Sequence, residues 1–274
     1  MKRIFSRLAF YMMMTAGVLS CTGANLYKDL ASNKSSDEAL YEDAMKLLDG
    51  GDYSGAIDAI LETTADFRAQ TRVKEGLAGA YAARCGMVFL TFISSLTGSG
   101  GESFYKMALN GFVGIDTSNF ADCVTARDIV KGIGTSLQRT SSQNLFLAVL
   151  GMAIIGNRLR ANADKLPTAV GDGVVDAAYN CGPTQMPIAD AASVIEGFAL
   201  IMENITALGT IASGVATDLQ GIADTCGGDC TTITYAGASP AESDDAIIAS
   251  RTRLNMQSIG LGSCSVDPCV CLDP

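Results

Sequence analysis

The sequence predicts an all-α protein in which helical hairpins pack on long apolar helices, followed by a disulfide-rich tail. Three observations carry this. Tryptophan is absent and aromatics make up 7% of the chain, so the interior must be built from Ala, Leu, Ile, Val, Met and Gly. Such a palette suits close-packed helices better than a β-sandwich. Leu40, Ala44, Leu47 and Leu48 recur at helical spacing. Two later segments, around 145–155 and 188–226, are apolar over nearly their whole circumference, as helices surrounded by partners are.

The elements follow in order. Residues 1–20 carry Lys2, Arg3 and Arg7 ahead of an apolar run from Leu8 to Leu19 and then small residues, the three parts of a secretory signal peptide. The run is shorter than the roughly 17–25 apolar residues of a spanning helix, and no basic stop-transfer cluster follows it. Val18-Leu19-Ser20-Cys21 resembles the lipobox of bacterial lipoproteins, with Val18 where Leu is commonest. The resemblance implies that the Cys21 thiol takes a diacylglycerol, that the chain is cut before Cys21, and that the new amine is acylated. The alternative is an ordinary secretory signal with a chance cysteine at its end. Two or more acyl chains anchor stably where one holds only marginally. Thr22 is not the aspartate that retains many such lipoproteins at the inner membrane. The expectation is therefore a periplasm-facing outer-membrane lipoprotein, with the inner membrane or cell surface as alternatives. Residues 21–36, rich in Ser, Asn and Lys, form the lipidated spacer.

Charge and composition exclude several function classes. The chain has 19 basic and 29 acidic residues; removing the three bases of the signal leaves a formal −13. No basic stripe is present, so nucleic acid, whose binding depends on Lys/Arg neutralisation of phosphates, is not an expected partner. Histidine is absent, which removes Ser-His-Asp and Cys-His catalysis, His-ligated zinc and haem, and a histidine pH switch. No carboxylate pair or Ser-Lys arrangement emerges, no cofactor is implied, and the chain is not read as an enzyme.

The α-helical domain is expected over 37–225. Ser36 followed by Asp37 and Glu38 predicts a helix start with acids in the first turn. Gly50-Gly51-Asp52-Tyr53 breaks that helix, and a second begins around Ala56. Leu40, Ala44, Leu47, Ala56 and Ile60, with GDYSGAI as the turn, resemble a tetratricopeptide repeat. Advancing by the family's period of about 34 residues gives Ala78 and Tyr81 in a second unit starting near Thr71. Its partner helix, MVFLTFISSL, has Leu90 where the packing alanine belongs. The repeat-like region is 37–97, and a generic helical hairpin is the alternative. TGSGGES at 97–103 lacks the Gly-Lys-Ser/Thr ending of a phosphate loop and reads as a linker.

Beyond it, a short helix and loop are expected over 103–123, then helices over 122–140 and 141–166. Pro167 to Pro187 is a loop-rich junction whose Asp172 and Asp176 lack a calcium-loop spacing and read as solvated acids. In the long final helix, Glu196, Glu203, Thr210, Thr217 and Asp224 recur every seven residues on one narrow face. That face is expected to meet solvent, with a cavity lining as the alternative. Gly197, Gly209, Gly214 and Gly221 would each weaken the helix by about 1 kcal/mol, offset by close helix approach or a kink.

Setting Cys21 aside, Cys85, Cys123, Cys181, Cys226, Cys230, Cys264, Cys269 and Cys271 are an even set in an exported chain, so disulfides are the default. Cys85 and Cys123 are candidates for a bridge between helices. Cys269 and Cys271 are too close to bridge each other without strain and suit Cys226 and Cys230, within the cysteine-rich tail 226–274. A four-cysteine zinc site needs reduced thiolates, and CGGDC is not a C-x-x-C redox motif. The functional expectation is a lipid-anchored helical scaffold for a protein or peptide partner. The alternative is a binding module for a small apolar ligand, given an architectural likeness to the helical lipoproteins that accompany TRAP-type transporters.

Overall fold

The computed structural model describes residues 36–87, 104–165, 171–176, 179, 183–204 and 241. Among these residues the chain forms eight helices and no strand, as an all-α composition predicts. The signal, Cys21, the helix expected over 87–96 apart from its first residue Met87, the 97–103 linker, Thr210, Thr217, Asp224 and the six cysteines Cys181, Cys226, Cys230, Cys264, Cys269 and Cys271 lie outside the described residues.

Helix α1 (Asp37–Asp49) starts as its sequence dictates: the Ser36 hydroxyl accepts from the Ala39 amide at 3.2 Å, and Asp37 and Glu38 fill the first turn. The turn after it needs a left-handed residue, supplied by Gly51 at φ 81°. Asp52 then caps α2 (Tyr53–Glu62), accepting from the Gly55 amide at 2.9 Å. The start therefore comes at Tyr53, one turn before the expected Ala56. Ala44, Ala56 and Ile60 are fully buried where the two helices meet.

A one-turn helix, α3 (Ala65–Arg68), was not expected. Thr63 leaves helical geometry after α2, its hydroxyl donating to the Ile60 carbonyl at 2.7 Å. Thr64 restarts the chain, and Phe67 turns inward against Ala44, Ile60 and Val73. Helix α4 (Thr71–Arg84) carries alanine on two faces: Ala80 packs with Ala56 and Ile57, whereas Ala78 and Ala82 face the main core. It is thus the layer that joins the first hairpin to the rest.

Polar contacts close the joint between α1, α3 and α4. Asp37 accepts from the Thr64 amide at 2.8 Å and its hydroxyl at 2.5 Å. Arg72 grips Glu38 through two bonds of 2.9 and 2.6 Å, and its guanidinium carbon lies 5.1 Å from the Tyr41 ring centroid and 5.0 Å from that of Phe67. Hydrogen bonds from Thr64 hold the Asp37 carboxyl below the usual carboxylate range, and the bond from Arg72 does the same for Glu38. Lowered folded-state values favour the ionised, folded form, so this contribution is complete at neutral pH and disappears as acid protonates the two groups, below about pH 4. The denaturant midpoint is expected to be flat between about pH 5 and 7 and to fall below about pH 4. An Asp37→Asn variant titrated alongside should show a shallower acid limb; an identical limb would remove Asp37 from the account.

Helices α5 (Phe104–Asn110), α6 (Phe120–Lys131), α7 (Ser141–Ala163) and α8 (Ile188–Asn204) form the main core. Thr140 and Gln143 make a reciprocal capping box at the start of α7. Residues 147–157 of α7 are buried without interruption, as an uncharged apolar run requires. The helix is longer than that run, and by length and hydropathy alone it would pass for a membrane span, yet 72% of the apolar window is buried by its neighbours. Gly151 of α7 and Gly197 of α8 face one another: a Cβ on either would sit 2.5 or 2.7 Å from the other's carbonyl oxygen. Close approach is the compensation expected for Gly197.

Two expectations are corrected. Glu203 is exposed, as expected of a solvent-facing stripe, but Glu196 is half-buried, and both carboxylates are ion-paired. Glu196 accepts from Arg127 at 2.8 Å; Glu203 accepts from Arg139 at 2.8 Å and lies 3.5 Å from Lys131. A seven-residue repeat of acids on α8 meets Arg127 and Lys131, one turn apart on α6, and the polar stripe becomes an ion-paired seam. Asp176 is also more than a solvated acid, since its carboxylate accepts from the Lys165 amide at 2.8 Å. Asp172 is exposed, accepts from the Val174 amide at 2.9 Å and passes its own amide to Asp164 at 3.1 Å. The acid that organises this loop is Asp164, fully buried, which also accepts from Gly173 at 2.9 Å.

Candidate functional site

Of the cysteines proposed for disulfides, the structure brings Cys85 and Cys123 together in one, with Cα atoms 5.4 Å apart. Cys85 ends α4 and Cys123 lies in the first turn of α6, and both are fully buried. Beside the bridge, Arg84 grips Asp122 with bonds of 2.6 and 2.9 Å, and Asn157 of α7 donates to the Cys85 carbonyl at 3.4 Å. The carboxylate raises the pKa of the Arg84 guanidinium, mainly through that hydrogen bond. The result is a rigid weld between α4, α6 and α7. Its sulfurs are bonded and buried, so it is a staple and not a nucleophile. Among the described residues no cluster of three Cys, Asp or Glu side chains converges as a metal site.

Further along α4, a crevice of 240 Å³ opens between α4, α6 and α7. It is lined by Glu75, Val130, Ser142, Gln143 and Phe146. Val130 and Gln143 are buried, Phe146 is half-buried, and Glu75 and Ser142 stand at the exposed rim. Gln143 is fixed at both ends of its amide: Oε1 accepts from the Thr140 amide at 2.8 Å, and Nε2 donates to Glu75 Oε1 at 2.7 Å. One oxygen of Glu75 is thereby tied down beside an apolar wall. One turn later on α4, a Cβ added to Gly79 would meet nothing within 4 Å, so open space continues along this helix.

These lining residues were not singled out by sequence. The Thr140-x-x-Gln143 spacing is a capping-box signal that could have marked Gln143, but its second function, holding Glu75, depends on α4 lying alongside. Phe146 borders the apolar run of α7, and Val130 is one apolar residue among the charged ones of α6, so neither stands out from ordinary packing positions. The crevice exists only where Glu75 of α4, Val130 of α6 and the first turns of α7 come together. No known protein family, curated protein or solved structure matches this chain.

Proposed function

We propose that the protein is a lipid-anchored, periplasm-facing helical scaffold that binds a protein or peptide partner. The observation that carries this reading is the α1–α4 unit. Ala44, Ala56, Ile60 and Ala78 are each fully buried at the offsets a tetratricopeptide repeat uses for helix packing. Glu38 and Arg72, bonded to each other, are 34 residues apart, the period of that repeat. Stacked hairpins of this kind present extended surfaces to partners. The lipobox-like Cys21 supports a lipid anchor, Thr22 in place of aspartate favours the outer membrane, and the buried Cys85–Cys123 bridge suits an oxidising compartment. At Gly151 and Gly197 α7 and α8 approach too closely for a ligand to lie between them, which favours the scaffold over an apolar-ligand carrier.

The test has two arms. Cys21→Ser is expected to release the protein from the membrane fraction and to abolish the mass of the attached lipid. Unchanged partitioning and mass would refute the anchor. Crosslinking the wild-type protein in cells is expected to recover one stable protein partner; a small molecule retained through purification, with no crosslinked protein, would refute the scaffold.

A further inference from the structure

Resting on that scaffold reading, we propose that the crevice between α4, α6 and α7 seats a lysine side chain of the partner. Volume, wall chemistry and the state of its one carboxylate point the same way. At 240 Å³ the crevice admits one long side chain and not a helix. Phe146 and Val130 offer an apolar surface for a methylene stem, each buried methylene strengthening binding roughly fourfold. Glu75 at the rim meets the charged head, and Ser142 adds a hydroxyl acceptor. Lys and Arg stems lie along apolar surface in this way while their heads stay near water.

The carboxylate also discriminates between the two cations. Arginine binds best through a fork that takes both oxygens of a carboxylate, whereas an ammonium is a compact point charge that needs only one. Glu75 Oε1 already accepts from Gln143 at 2.7 Å, and Oε2 accepts from no described residue. A guanidinium fork would have to share Oε1 with Gln143, whereas an ammonium needs only Oε2, which favours lysine. The competing influence is the start of α7, whose dipole favours anions. There the Gln143 amide is already bonded to Thr140 at 3.2 Å, and the rim carries the Glu75 charge. The mature chain's formal −13 further attracts a basic partner segment.

The probes are n-butylammonium, methylammonium, n-butanol and butyrate, titrated into the purified chain while NMR signals of the Val130 methyls and the Phe146 ring are followed. Butylammonium should bind with a Kd of about 1–10 mM, as expected for one stem and one exposed charge pair. It should exceed methylammonium by at least about tenfold, and butyrate should produce no shift. Glu75→Gln keeps an acceptor for Gln143, so the fold survives, and it should weaken butylammonium about threefold to fivefold. Butyrate or butanol binding as tightly as butylammonium, a Glu75→Gln variant with unchanged affinity, or no shift at either reporter would each overturn the proposal. Recovery of a crosslinked partner with no butylammonium binding would leave the scaffold standing without this pocket. Butylammonium binding with no crosslinked partner would do the reverse.

Discussion

Replacing both Cys85 and Cys123 by alanine is expected to lower unfolding stability by about 4 kcal/mol. The two residues are separated by 38 positions, and closing a loop of that size removes roughly that much chain entropy from the unfolded state in the entropic account of disulfides, within a usual range of about 2–5 kcal/mol. In a domain of this size each kcal/mol corresponds to about 2–4 °C of Tm, so the melting point should drop by about 10 °C. The loop also carries α5 and the turn after it, whose Phe104, Leu109 and Phe112 are fully buried in the main core, so the cross-link closes over material that must itself be ordered. Denaturant midpoints of wild type and the double alanine variant measure the effect, and a difference under about 1 kcal/mol would show that the bridge adds nothing to the Arg84–Asp122 pair beside it. Burial adds a kinetic corollary. Both sulfurs are fully enclosed, so a small thiol reductant must wait for an opening of the α4–α6 contact, and reduction should be slow in buffer and accelerate with denaturant.

Local chemistry was legible wherever one stretch of sequence contained the whole cause. Ser36 with Asp37 and Glu38 caps α1, the paired glycines before Asp52 break it, and the uncharged run after Leu147 is buried throughout. The Cys85–Cys123 pairing was also within reach, because both cysteines lie at helix ends in the first half of the chain. What escaped sequence reasoning depends on distant partners. Glu196 and Glu203 form a visible stripe, but a stripe looks the same facing water or facing Arg127, Lys131 and Arg139. Asp164 looked like any charged residue at a helix end; only the return of Asp172 and Gly173 makes it the buried acceptor of that loop. Helix α3 escaped for a different reason. Four residues are too few for periodicity to register, and its evidence was the cap at Thr64.

The second large effect is expected at the glycines of the core, where the cost comes from backbone and not from side chains. In an open helix, glycine to alanine gains about 1 kcal/mol, and Gly79 in α4 meets that condition because its added Cβ touches nothing within 4 Å. Gly79→Ala should therefore stabilise the protein by about 1 kcal/mol. At Gly151 the same methyl would lie 2.5 Å from the Gly197 carbonyl oxygen, and at Gly156 it would overlap the Ala108 carbonyl oxygen. Neither obstacle can rotate aside, so α8 or α5 must move away from α7 and open the tightly packed layer between them. Overpacking of this kind costs about 1–3 kcal/mol and sometimes more, and Gly151→Ala and Gly156→Ala should each destabilise by about 3 kcal/mol. The two sites act on different neighbours, α8 and α5, so their losses should add. Gly151→Ala and Gly197→Ala act on the same gap. Once the helices have parted to admit one methyl, the second enters with less resistance, and the double variant should cost less than the two singles together. Denaturant midpoints for the four singles and two doubles test the argument as one set. Additivity at Gly151 with Gly197, or stabilisation at Gly156, would mean that the helices are not held at backbone contact.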